Sequence, residues 1–174
     1  MTRTLVIGFG NLDRADDGAA FHIVNRLRES LGMHPLEEGD TGLGSLGEET
    51  DAVFVPQLLP EHAFEASGYD RLVLVDAHVS AELRDIVCAR VDPEQKPPAL
   101  GHIMPPPTFL WLARNLSGKP IEAYAVSVRG CSFEMAASLS ETTAALLPDA
   151  TETVRGLLGI RGCVYAKANE LDPS

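Results

Sequence analysis

Asp16 and Asp17 are two adjacent acids that follow a glycine-containing turn near the start of the chain. They come after the apolar run Leu5–Ile7 and the glycines Gly8 and Gly10, and they precede apolar residues at helical spacing. This order predicts a strand, a tight turn and a helix, because glycine readily adopts a positive φ. One of the two carboxylates can then serve as an ionised oxygen ligand at the carboxyl edge of a sheet. The alternative is that both acids only stabilise the start of the helix, as an N-cap and a first-turn acid.

A third acid, Asp76, ends the apolar run Leu72–Val75, which is typical of a strand buried on both faces of a parallel sheet. A carboxylate there is costly unless it is paired, hydrogen-bonded or bound to metal, although an aspartate that only forms a turn is the alternative. His78 would share the face of Asp76 if the strand continued. His102 is a second candidate, because the prolines Pro105–Pro107 after it restrict the backbone and could hold a side chain at low entropic cost. An ordinary loop histidine is the alternative there.

The rest of the chain alternates between strand-like and helix-like segments. Ile86–Val91 is expected to be an antiparallel edge strand, because only a short link separates it from the strand before it. Pro60 is typical of the first turn of a helix, and Gly118 is typical of the end of one. The segment Ser138–Glu141 is typical of a capping box at the start of the last helix, in which Pro148 predicts a kink or a restart. The other predicted strands are Val53–Val55, Leu72–Val75 and Ala123–Val128, and the predicted helices are Ala20–Leu31, Glu61–Ala66, Phe109–Leu116 and Ser138–Leu158.

This alternation predicts a single-domain three-layer α/β/α sandwich with a mostly parallel sheet of about five strands. The domain is expected to span residues 1–158, and residues 159–174 are predicted to form a flexible C-terminal tail. The glycine- and acid-rich segment Gly32–Asp51 is predicted to be a loop. Because the carboxyl ends of parallel strands meet at one edge of a sheet, Asp17 and Asp76 are expected to converge.

Composition excludes several classes of partner. The formal net charge of −11 argues against nucleic acid, since nothing offsets repulsion from phosphate. The cysteines Cys88, Cys131 and Cys163 are widely spaced and form no C-x-x-C motif, which favours a reducing compartment over a disulfide framework or a zinc finger. No apolar stretch approaches a membrane span or an N-terminal signal region. We therefore expect a cytoplasmic location and no membrane partner.

Taken together, these residues resemble the hydrogenase maturation endopeptidases, which trim the large-subunit precursor of nickel–iron hydrogenases. The resembling motifs are Gly8-x-Gly10-Asn11, Arg14-x-Asp16-Asp17-Gly18, Val75-Asp76-Ala77 and His102 before the Pro107–Leu116 helix. The match extends from about Thr4 to Leu158, which is nearly the whole chain.

The resemblance implies a metal-dependent, nickel-triggered endopeptidase with Asp17, Asp76 and His102 as its metal-binding and catalytic residues. The implied partner is the large-subunit precursor, from which a C-terminal extension is removed after nickel insertion. Nickel is expected to be presented by that substrate, and zinc or cadmium to substitute for it in vitro. Two carboxylates and one imidazole suit such borderline divalent ions and leave positions open for other ligands. The oligomeric state is left open, and a monomer is compatible with the sequence.

Other interpretations stay open at this point. His78 is the rival of His102 as the third ligand. Many relatives carry Asp-Gly-Gly-Thr after the second strand, whereas this chain has Pro56-Gln57-Leu58, which leaves substrate selection undetermined. That departure keeps a second hypothesis, a non-catalytic metal-binding assembly factor for the hydrogenase. A nucleotide-binding oxidoreductase is disfavoured, because Asp13 occupies the position of the third glycine in G-x-G-x-x-G.

Overall fold

The computed structural model describes residues 1–93 and 104–159. Within those ranges the chain forms five strands, four α-helices and two short 3₁₀ turns. The strands are β1 Thr4–Phe9, β2 Thr50–Val55, β3 Arg71–His78, β4 Ile86–Arg90 and β5 Glu122–Arg129. The helices are α1 Ala19–Ser30, α2 Pro60–Ala66, α3 Pro106–Ser117 and α4 Glu141–Leu157, and the 3₁₀ turns are Ala15–Gly18 and Leu43–Ser45.

All five strands belong to one sheet with the order β2-β1-β3-β5-β4. Four of them are parallel, and β4 pairs antiparallel with β5 at the edge, as the sequence predicts. The chain runs from β1 to β2 on one side and then returns past β1 to β3. The carboxyl ends of β1 and β3 therefore lie at the point where the strand order reverses, which is where open α/β sheets place their ligands.

Helices cover both faces of the sheet, which confirms the three-layer sandwich. Along β3, Val73 and Val75 pack in a core with residues of α1 and α4, whereas Leu72 and Leu74 pack in a second core with residues of α2 and α3. Side chains alternate between the faces along a strand. Asp76 has the parity of Leu72 and Leu74, so it lies on the α2/α3 face where β3 ends.

Several predicted boundaries need correction. β3 continues through His78 rather than ending at Val75, and β2 begins at Thr50, inside the segment that was predicted to be a loop. The cap of α4 is Ser140, whose hydroxyl accepts a hydrogen bond from the Thr143 amide, and not Ser138. Ser140 is fixed there by bonds to a residue that is distant in sequence, as shown below.

Two further expectations concern the C-terminal part. α4 passes through Pro148 without a restart; this proline is exposed on the helix surface. Residues 160–174 lie outside the described part of the chain, so the flexible tail stays a prediction. In the described ranges, no helix has the length and apolar character needed to cross a membrane.

Candidate active site

Two glycines allow the chain to turn tightly where β1 ends. A Cβ on Gly8 would lie 2.7 Å from Cγ2 of Val24, so this glycine lets β1 and α1 approach closely. A Cβ on Gly10 would lie 2.0 Å from the carbonyl oxygen of Asp17, and the φ of Gly10 is +152°. The two glycines thus bring the 3₁₀ turn that carries Asp17 against the end of the strand. Their role differs from that of the glycines that contact the phosphates of a bound dinucleotide.

Asp16 is fully buried and acts as a structural anchor. Its carboxylate accepts hydrogen bonds from the backbone amides of Cys131, Ser132 and Ser140 at 2.7, 2.9 and 2.7 Å. It also accepts from the hydroxyls of Ser140 and Thr143 at 2.8 and 2.9 Å. Burial alone would raise the pKa of Asp16, but these hydrogen bonds outweigh it and hold the pKa below the ordinary 3.8. With its acceptor sites used in this way, Asp16 is not a ligand for a substrate or a metal.

Neither acid is the N-cap of α1, but both lie in the 3₁₀ turn that leads directly into this helix. The N-cap position is Gly18, and it makes no side-chain capping bond. The acids lie in the 3₁₀ turn before the helix, because the turn is tied through Asp16 to the segment between β5 and α4.

Asp17 faces the candidate site. It is half-buried, and one carboxylate oxygen accepts a hydrogen bond of 2.9 Å from the backbone amide of Asn11. Its negative charge acts on Asp76 and raises the pKa of that residue. The two carboxylates therefore converge at the carboxyl edge of the sheet, as the sequence predicts.

Asp76 lies opposite Ser127 in the β3–β5 register. Burial raises the pKa of Asp76 from 3.8 to about 6, a hydrogen bond with the Ser127 side chain opposes this rise, and the charge of Asp17 adds to it. The site thus holds two carboxylates, one of them poorly solvated, that repel each other unless a proton or a cation intervenes.

His78 lies on the same face as Asp76, because β3 continues through it. Its Nδ1 is 3.1 Å from the hydroxyl oxygen of Ser127. Burial lowers the pKa of His78 below 6.5; the Arg84 carbonyl and the Asp85 carboxylate oppose this, and Arg129 adds to it. The imidazole is therefore neutral near pH 7. Its Nε2 is buried and has no well-formed hydrogen bond in the described part of the chain.

His102 lies outside the described residues, so its assignment stays a prediction. The chain is described again from Met104, which is buried in the core on the α2/α3 face. α3 begins at Pro106 and packs on that same face, which also carries Asp76. Among residues 1–93 and 104–159, no three histidine, cysteine, aspartate or glutamate side chains form a group that could hold a metal.

The sequence did not predict that Ser127 belongs to the site or that Asp16 is an anchor. Ser127 is a small polar residue inside the otherwise largely apolar Ala123–Val128, and such residues are common in strands. Its meaning depends on the register that sets it opposite Asp76, and no local pattern predicts that register.

Solved structures with the same fold come from bacteria and archaea. The hydrogenase maturating endopeptidase HybD from E. coli is 24% identical, with 90% of this chain and 92% of that one aligned at a TM-score of 0.59. The [NiFe] hydrogenase maturation protease HybD from Thermococcus kodakarensis is 19% identical over 89% and 98% of the two chains, also at 0.59. The hydrogenase 2 maturation peptidase from Thaumarchaeota archaeon SCGC_AB-539-E09 is 18% identical over 91% and 99%, at 0.61.

Sequence comparison adds no relative: no family model and no curated protein matches the chain. The likeness is therefore one of three-dimensional structure, and it extends over nearly the full length of both partners in each pair. This chain has the α/β/α fold of the hydrogenase maturation endopeptidases.

Proposed function

We propose that this protein is an endopeptidase that removes a C-terminal extension from the nickel-loaded large-subunit precursor of a nickel–iron hydrogenase. One observation carries the proposal: Asp17 and Asp76 converge at the strand-order reversal of a fold shared with proteins that are named as maturation proteases. The motifs Gly8-x-Gly10-Asn11 and Arg14-x-Asp16-Asp17-Gly18, which carry the family resemblance, form the turn that presents Asp17.

The metal in this proposal is nickel that the precursor carries. Asp17 and Asp76 would bind it, with His102 as the third ligand and His78 as the alternative. The chemistry of the donors fits a divalent cation, because two facing carboxylates, one with a pKa raised to about 6, are stabilised by a positive charge between them. Zinc or cadmium would fit the same oxygen and nitrogen donors in vitro.

The metal would polarise the scissile carbonyl or a water molecule. The task of this chain is to hold its ligands in place around the precursor. Asp17 is held by the Asn11 amide, and the turn beneath it is anchored through Asp16. Asp76 is held on a central strand, where a ligand is positioned more accurately than on a loop. We place this processing in the cytoplasm.

The test is the length of the precursor. Purified nickel-loaded precursor is incubated with wild type, Asp17→Asn or Asp76→Asn, and the C-terminus of the large subunit is mapped by mass spectrometry. We expect shortening by wild type, and a loss of about 10-fold or more in rate in each variant, because a ligand charge is lost while the shape is kept. Nickel-free precursor should stay intact.

Asp13→Asn is the matched control, because it is the same substitution at an exposed position before the same 3₁₀ turn. It should process at the wild-type rate. Normal shortening by Asp17→Asn and Asp76→Asn would contradict the assigned site. If wild type does not shorten its own nickel-loaded precursor, the non-catalytic assembly factor becomes the better hypothesis.

A further inference from the structure

The Ser127 side chain interacts with both Asp76 and His78. It lies on β5, directly opposite Asp76 in a register that continues without interruption to His78 and Arg129. Neither the motifs of the resemblance nor the proposed ligands include it. Its place opposite Asp76 and beside His78 makes it part of the site.

The positions of the hydrogen atoms shared by Asp76, Ser127 and His78 follow from the chemistry of these side chains. As a metal ligand Asp76 is ionised and only accepts hydrogen bonds, so the single hydroxyl hydrogen of Ser127 is donated to it. The Ser127 oxygen then accepts from Nδ1 of His78, 3.1 Å away, which assigns a hydrogen to Nδ1. The Arg84 carbonyl is the other hydrogen-bond acceptor near the ring, and it makes no well-formed hydrogen bond with Nε2 in the described part of the chain.

The backbone of His78 is held in place by its surroundings. The backbone amide of Gly130 donates a 2.8 Å hydrogen bond to the carbonyl of His78, and the amide of Arg129 donates one of 2.7 Å to the carbonyl of Asp85. A salt bridge of 2.7 Å joins the Arg129 guanidinium to the Asp85 carboxylate. These bonds connect the end of β5 to the chain that leaves β3, so the backbone that carries the ring is fixed beside Ser127.

We propose that Ser127 is a positioning residue, whose hydroxyl, fixed by Nδ1 of His78, holds the Asp76 carboxylate in the orientation that binds metal. The proposal deepens the proposed function: it rests on the assignment of Asp76 as a metal ligand, and it uses precursor processing only as a final readout. It also gives His78 a role other than that of metal ligand, since its contact with the site is made through Ser127. Partners that orient a metal ligand in this way are typically worth 10- to 100-fold in metal affinity or activity.

The first readout uses the free protein and Cd²⁺ as the probe. Ser127→Ala should weaken Cd²⁺ binding in calorimetry by about 10-fold. Ser127→Thr, which keeps the hydroxyl and suits a strand, should bind as wild type does. Ser67→Ala is the matched control, because it removes a serine hydroxyl that donates to the Phe64 carbonyl at the end of α2, away from the site. Melting temperatures check that every variant is folded.

The second readout separates the two ring nitrogens of His78. In His78→Asn the amide nitrogen of asparagine takes the place of Nδ1, so the Cd²⁺ affinity should be kept. In His78→Gln no nitrogen occupies the place of Nδ1, so this variant should lose as much Cd²⁺ affinity as Ser127→Ala. In the wild type, ¹⁵N NMR should show the hydrogen of His78 on Nδ1. The same variants are then assayed for precursor processing, which should follow the Cd²⁺ affinities.

The outcomes are distinct. Unchanged Cd²⁺ affinity in Ser127→Ala, a hydrogen on Nε2 of His78, or a wild type that binds no Cd²⁺ would each overturn the proposal. A loss in His78→Asn far larger than in Ser127→Ala would show that His78 is a metal ligand. If the Cd²⁺ and NMR results agree with the proposal but wild type does not process its precursor, only the proposed function fails.

Discussion

Replacing Asp16 by asparagine should destabilise the fold, although the two side chains have nearly the same shape. One carboxylate oxygen of Asp16 accepts from the Ser140 amide, and the other accepts from two amides and two hydroxyls. If the oxygen of the asparagine replaces the carboxylate oxygen that accepts four hydrogen bonds, its NH₂ group faces the Ser140 amide. That amide is then left with a donor in place of its acceptor, which costs about 1–3 kcal/mol.

The other hydrogen bonds change from charge-assisted to neutral, at roughly 1 kcal/mol each. Relief from burying a charge offsets part of that loss. We therefore expect Asp16→Asn to lower the free energy of unfolding by about 3 kcal/mol, a large fraction of the 5–15 kcal/mol that is typical of a domain. Urea unfolding at pH 7.5, followed by the fluorescence of the single tryptophan, measures this loss.

The control is Asp17→Asn, the same change one residue later. Asp17 is half-buried, and the hydrogen bond that it accepts from the Asn11 amide can be accepted by an asparagine oxygen as well. Its stability should stay within about 0.5 kcal/mol of wild type. Equal stabilities of the two variants would refute the view that Asp16 is an anchor and Asp17 a site residue.

The pH dependence provides a second check on Asp16. Its pKa is lower in the folded state than the ordinary 3.8, so the unfolded chain binds the proton more tightly. The stabilisation is fully present above pH 3.8 and is lost as the pH falls through the lower, folded-state pKa. Asp16→Asn should remove this contribution, so that the difference in stability between it and wild type shrinks below pH 3.8.

Three further predictions concern the site. Asp76 has a pKa raised to about 6, so its ionised form destabilises the fold above pH 6. Asp76→Asn should therefore raise the melting temperature at pH 7.5, by the equivalent of up to about 3 kcal/mol in the free energy of unfolding, and this gain should disappear near pH 4. Ni²⁺, Zn²⁺ or Cd²⁺ should raise the melting temperature of wild type, and Asp76→Asn should lose most of that rise; equal shifts would place the metal elsewhere. Gly10→Ala would place a Cβ 2.0 Å from the Asp17 carbonyl oxygen, so it should destabilise the protein and abolish processing, whereas Gly44→Ala, with no atom within 4 Å of the added Cβ, should be tolerated.

Local patterns were sufficient for the order of elements and for the edge that carries the site. The apolar run Leu72–Val75 predicted a strand buried on both faces, because a strand that is covered on both faces is apolar at nearly every position. Alternation of strands and helices then required a parallel sheet covered by helices on both faces, and parallel strands bring their carboxyl ends to one edge. For that reason Asp17 and Asp76 could be paired across 59 residues of sequence.

Tertiary structure alone decided which of two adjacent acids faces the site and which is structural. Asp16 and Asp17 are chemically identical neighbours, and they differ only because the segment from Cys131 to Thr143 folds over one of them. The roles of Ser127 and His78 were equally hidden, since both depend on strand register and on the extension of β3 past Asp76. Hydrophobic periodicity is a local property of the chain, whereas a hydrogen-bonded network joins residues more than 100 positions apart, and no local pattern encodes that contact.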